Sequence, residues 1–147
     1  MSALDDLFQQ IILDHYRSQR GVGRLEEPSV AVDQNNPLCG DEIHLELAIE
    51  DGRIVGLGHT GQGCSISQSS ASMMSEVLRD VSVEEALALV EHFRQVMHGS
   101  EEADEDRLGD AIALEGVARY PVRVKCALLG WMAAKDAIQT YQANGGG

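Results

Sequence analysis

Leu4, Leu7, Phe8, Ile11, Ile12 and His15 recur at three- and four-residue spacing, which predicts an amphipathic helix over about residues 3–17. Residues 21–37 lack periodic apolar positions and carry Gly and Pro, the pattern of an irregular segment. The period then changes to two. Ile43, Leu45, Leu47 and Ile49 alternate with His44, Glu46, Ala48 and Glu50, which reads as a half-buried strand with the second set facing out. Asp51-Gly52 is a hairpin turn signal, and residues 53–59 form the returning strand.

Beyond Gly61-Gln62-Gly63 the spacing becomes helical again, with Ile66, Ser70, Met73, Met74 and Val77 on one side and small residues between them. Ser82-Val83-Glu84-Glu85 has the form of a capping box and predicts a further helix ending near Met97. Residues 99–107 are acidic and read as an exposed linker, followed by a short segment at 108–116. Pro121 suits the first turn of a last helix. Val124, Leu128, Trp131 and Ile138 supply that helix with a buried stripe, and it should reach about Tyr141, leaving residues 142–147 as a flexible tail. No segment repeats. The fold class is α+β: one domain over residues 1–147, with a small antiparallel sheet of about three strands and helices packed on it.

Composition narrows this only slightly. A hydrophobic content of 44% with 4% aromatics points to an aliphatic core, and no apolar run reaches the length of a membrane span or a signal region. The expected location is therefore the cytoplasm. A net charge of −13, from 11 Lys+Arg against 24 Asp+Glu, repels phosphate backbones, so nucleic acid is not an expected partner.

Candidate chemistry rests on three cysteines, an odd number that cannot make a complete disulfide framework. Cys39 lies in the turn-like Asn36-Pro37-Leu38-Cys39-Gly40-Asp41. Cys64 ends Gly61-Gln62-Gly63-Cys64 where a helix begins. Cys126 follows Arg123 and Lys125 near the start of the last helix, where free backbone N–H groups and cations favour thiolate over thiol. Three buried hydrophobes would be the plain reading of free cysteines. Against it stand these settings, and three thiolates with the Asp41 carboxylate make a ligand set large enough to close a tetrahedral zinc site. No CxxC pair is present, so spacing alone leaves both readings open. A carboxylate among thiolates also makes one position easier to exchange than in a four-cysteine site.

The remaining signals are weaker. His15 reads as a core or edge residue, His44 as an outward strand position, and His92 and His98 as surface residues of one helix. Only His59, five residues before Cys64, is a possible substitute ligand. Met73 and Met74 read as packing. Gly145, Gly146 and Gly147 read as a frayed tail, unlike the thiocarboxylate terminus of ubiquitin-like sulfur carriers.

Four blocks together carry a family resemblance. These are Leu7-Phe8-x-x-Ile11-Ile12-Leu13-Asp14-His15-Tyr16, Asn36-Pro37-Leu38-Cys39-Gly40-Asp41, Gly61-Gln62-Gly63-Cys64-Ser65-Ile66-Ser67 and Arg123-Val124-Lys125-Cys126-Ala127-Leu128-Leu129. The chain resembles SufU, the zinc-containing branch of the IscU-like iron–sulfur cluster assembly proteins, over about residues 4–141. Scaffolds of the IscU type usually carry His directly before the third cysteine, where this chain has Lys125. They also have a shorter connection between the second and third cysteines, so residues 99–107 look like the insertion of the SufU branch.

The resemblance implies a zinc-dependent sulfurtransferase that accepts persulfide sulfur from a SufS-like, PLP-dependent cysteine desulfurase. It would pass the sulfur to downstream iron–sulfur scaffold proteins, with no turnover of its own without the desulfurase. It further implies Zn2+ held by Cys39, Asp41, Cys64 and Cys126. Cys39 would be the acceptor, released when a histidine of the partner takes its coordination position, and Arg123 would assist through its charge. The alternative function is a scaffold that assembles a [2Fe–2S] cluster on the same cysteines and aspartate; a purely structural zinc adaptor is a third reading.

Overall fold

The computed structural model describes residues 3–38 and 40–145. The chain runs α1 (Ala3–Ser18), β1 (Val30–Asn36), β2 (Asp41–Glu50), β3 (Arg53–Gln62), α2 (Ser65–Val77), α3 (Val83–Met97), α4 (Glu105–Leu108), a 3-10 helix (Gly109–Arg119) and α5 (Pro121–Ala143). The α+β expectation holds. Among the described residues the strands form one antiparallel sheet in the order β1-β2-β3.

Asp51 and Gly52, at φ of 51° and 75°, turn β2 into β3 with the paired left-handed residues that a twisted hairpin favours. The 21–37 segment, expected to be irregular, holds β1. Val30 and Val32 are half-buried between exposed Ala31 and Asp33, but the strand ends in polar Gln34, Asn35 and Asn36, so its own pattern is too short to announce it. Register comes from β2, and it sets Asn36 directly opposite Asp41.

Ile43, Leu45, Leu47 and Ile49 enter the core as expected. Glu46 does not face water. The segment before β1 folds over it, and its carboxylate accepts the Leu25 N–H at 2.8 Å and pairs with His44 at 2.9 Å.

Behind the sheet, α5 packs on β1 and β2 and is flanked by α2 and α3. Val124, Leu128, Trp131 and Ile138 are all buried, and Trp131 stacks on Phe93 at 4.1 Å between ring centroids. Of the predicted capping box the structure shows the N-cap half, with Ser82 Oγ accepting the Glu85 N–H at 3.0 Å, and α3 ends at Met97. Pro121 opens α5, where its missing N–H costs nothing.

In α2, Ser69, Ser70, Ser72 and Ser75 are buried, yet each hydroxyl is bonded; Ser70 donates to the Ala127 carbonyl and Ser69 to that of Ile12. Small bonded side chains let α2 pack closely against both α1 and α5. His92 corrects a surface expectation: it is 5% exposed, bonded to Glu101 at 2.6 Å, and accepts the Asp104 N–H at 3.1 Å. The acidic 99–104 stretch is thereby pinned onto α3. His98 is exposed, as expected.

Candidate metal centre

Three chain segments end at one point. Asp41 is the first residue of β2 and is 1% exposed. Cys64 is the N-cap of α2 in an extended conformation, and its side chain makes no cap hydrogen bond, so the thiol is left to face its neighbours. Cys126 lies in the second turn of α5, fully buried, with Sγ 3.7 Å from the Val122 carbonyl oxygen. One ligand atom from each of Asp41, Cys64 and Cys126 lies within 4.8 Å of the others. Cys39 lies outside the described residues, as do Gly146 and Gly147.

The local chemistry positions the carboxylate. Asp41 Oδ1 accepts the Cys64 N–H at 2.9 Å, while Cys64 Sγ lies 3.9 Å from Asp41 Oδ2 and from Ser67 Oγ. Gly63 makes room for this. A Cβ at that position would sit 2.5 Å from Asp41 Oδ1 and would collide with Ser67 Oγ. Burial pushes the Cys64 thiol up, but hydrogen bonds from the Ser67 N–H, Cys126, the Ile66 N–H and the Ser67 hydroxyl outweigh it and hold the thiol below its ordinary value. A soft thiolate pair with one hard carboxylate oxygen is an ordinary zinc donor set, lacking one ligand for tetrahedral closure. These residues fit the ion.

The other candidates fall elsewhere. Arg123 and Lys125 are exposed on the first turns of α5 beside Cys126. His59 is not drawn to the thiols: its Nε2 donates to the Arg20 carbonyl at 2.9 Å, and burial holds the ring below its usual range. His15 is fully buried between Ser72 and Asp110. Its cluster with Glu76 and Asp110 already contains a cation, because Arg20 Nη1 lies 2.8 Å from Glu76 and 3.1 Å from His15 Nε2. Met73 and Met74 are core residues. Sequence reasoning missed Ser67 and Asn36. Ser67, three residues into the helix that Cys64 caps, was findable from helix-terminus geometry.

A small α+β domain built around a candidate thiolate–carboxylate centre is the class that this fold and site define. The chain belongs to the family of the NifU-like N terminal domain, which matches residues 7–127, and so to a family of iron–sulfur cluster assembly proteins. It is 42% identical to the zinc-dependent sulfurtransferase SufU of Bacillus subtilis (strain 168), over 92% of this chain and 91% of that protein. It is 39% identical to the iron–sulfur cluster assembly scaffold protein IscU of Streptococcus pyogenes serotype M1, over 95% of this chain and 87% of the other. Its fold matches the N-terminal part of a nitrogen-fixing NifU-like protein from Brucella abortus with a TM-score of 0.87 and 25% identity, covering 97% of this chain and 99% of that one. Among the described residues no helix is long and apolar enough to cross a membrane.

Proposed function

We propose that the protein is a zinc-dependent sulfurtransferase that receives sulfur from a PLP-dependent cysteine desulfurase for iron–sulfur cluster assembly. The observation that carries this is the convergence of Asp41, Cys64 and Cys126 within 4.8 Å. Cys39, two residues before Asp41, completes the ligand set. Zinc, when bound, keeps these thiols deprotonated while blunting their reactivity.

The transfer is a thiol–disulfide type exchange. The Cys39 thiolate attacks the terminal sulfur of the desulfurase persulfide, a new S–S bond forms on Cys39, the old S–S bond breaks, and the desulfurase cysteine leaves as thiolate. The charges of Arg123 and Lys125 suit an approaching anionic persulfide. Tyr120 and Val122, exposed to 60% and 63% next to Arg123 in the chain, and Leu38, exposed to 74% next to Cys39, are apolar side chains open to a partner. Lys125, in the place where scaffolds of this family carry His, favours sulfur transfer over cluster assembly.

The test is desulfurase turnover with and without this protein. Wild type should stimulate it and Cys39→Ala should not, at unchanged circular dichroism. Full stimulation by Cys39→Ala would remove Cys39 as acceptor. A stable, visible-absorbing cluster after anaerobic incubation with iron, cysteine and desulfurase would instead establish the scaffold role.

A further inference from the structure

Asn36 ends β1 directly opposite Asp41, the first residue of β2. It is 8% exposed, and its side chain is used only in part. Oδ1 accepts the Leu38 N–H at 3.3 Å, and the Asn36 carbonyl accepts the Gly40 N–H at 2.9 Å, which closes the turn between the strands. The buried Nδ2 has no hydrogen-bond partner among the described residues. Buried donors are almost always paired, and an exception calls for a ligand, a water or a functional cause.

Directly opposed residues of an antiparallel pair project from the same face with Cβ atoms about 4.5–5.5 Å apart. The orphan amide therefore shares a face with the Asp41 carboxylate, whose Oδ1 is already tied to the Cys64 N–H at 2.9 Å. Oδ1 being held in this way, a second donor from β1 would fix the remaining freedom of the carboxylate. A donor without an acceptor beside a carboxylate that must keep one orientation is the arrangement of an outer support for a metal ligand.

We propose that Asn36 is a positioning residue of the metal centre, its Nδ2 donating to the Asp41 carboxylate when the centre is loaded. This rests on the metal-centre reading above. Because Nδ2 has no hydrogen-bond partner among the described residues, its removal should cost the metal-free protein little. In the loaded protein its removal should weaken the hold on the ion. A residue serving the turn alone would change both forms alike.

Asn36→Ser separates the two roles, because a serine hydroxyl can still accept the Leu38 N–H but lacks the reach of Nδ2. Zinc affinity is measured by competition with a chromophoric chelator, and thermal midpoints are taken without metal and with zinc. The expected result is an unchanged or higher midpoint without metal, and zinc binding weaker by about 10–100-fold, the usual cost of losing such a support. In an Asp41→Ala background the same substitution should cost nothing. Zinc binding within twofold of wild type, equal destabilisation of both forms, or an undiminished effect in the Asp41→Ala background would each overturn the proposal.

If Asn36→Ser fails to fold, the wild-type protein decides through its Asn36 side-chain amide resonances. These should shift on zinc addition, and unshifted resonances in zinc-loaded protein would overturn the role. Wild type that binds no zinc at all overturns the metal reading and this proposal together, whereas equal binding by wild type and Asn36→Ser removes only Asn36.

Discussion

Gly63 has no side chain because the space is taken. A Cβ there would stand 2.5 Å from Asp41 Oδ1, with Ser67 Oγ closer still. Neither neighbour can give way without loss, since Asp41 holds the Cys64 N–H and Ser67 Oγ lies 3.9 Å from Cys64 Sγ. Gly63→Ala should therefore leave the helices intact and displace the carboxylate or the hydroxyl. Its expected cost is a loss of zinc affinity of about 10–100-fold, as for other residues that orient ligands, measured by chelator competition at unchanged circular dichroism. Wild-type affinity in Gly63→Ala would mean that the close approach at this glycine does not serve the centre.

Between elements, the join of β3 to the segment after α1 contains a titratable bond. The ring of His59 donates from Nε2 to the Arg20 carbonyl at 2.9 Å, and the Gly21 carbonyl accepts the His59 N–H at 3.0 Å. Burial holds the His59 ring below its usual range, so the folded protein resists the second proton, which the unfolded chain accepts at about pH 6.5. Below that pH the unfolded state binds more protons, and stability falls as pH falls until the folded ring itself titrates. His44 acts in the other window: hydrogen bonds to Glu46 and Asp33 raise it, so its contribution is complete below about pH 6.5 and is lost as pH rises through the folded value. Urea unfolding of the metal-free protein should therefore show a midpoint that drops as pH falls below about 6.5, with a slope of at most about 1.4 kcal/mol per pH unit from this one group. His59→Gln, which can still donate to the carbonyl, should flatten the drop, and an undiminished slope would assign it to another group. Such joins explain what sequence could show of this fold. The β2–β3 hairpin and the Ser82 cap were legible because alternation, turn residues and capping are local. The strand β1, the burial of Glu46 and the burial of His92 were not, since each is imposed by another segment folding over or pairing with it. The same holds at the centre: Asp41, Cys64 and Cys126 stood out by residue type, whereas Asn36 acquires meaning only from a register that β2 imposes.

Across the whole molecule, the candidate centre ties the start of β2 to the starts of α2 and α5, so the sheet meets both helices at one point. An ion bound there closes contacts between segments that the unfolded chain cannot hold together, and its binding free energy becomes folding free energy. With free zinc about a thousandfold above its dissociation constant, linkage stabilises the folded state by about 4 kcal/mol. For a chain of 147 residues that corresponds to a rise of about 10 °C in the thermal midpoint, taking about 2–4 °C per kcal/mol. The rise should grow with zinc concentration and vanish with excess chelator. Asp41→Ala should diminish it, leaving cysteine ligands alone, and joint replacement of Asp41, Cys64 and Cys126 should abolish it. The His15–Glu76–Asp110 cluster offers the control, because Arg20 already supplies its cation. A midpoint indifferent to zinc would remove the ion from the fold. A rise that survives the triple replacement would place zinc elsewhere in the chain and leave the convergence of the thiols and the carboxylate without its metal.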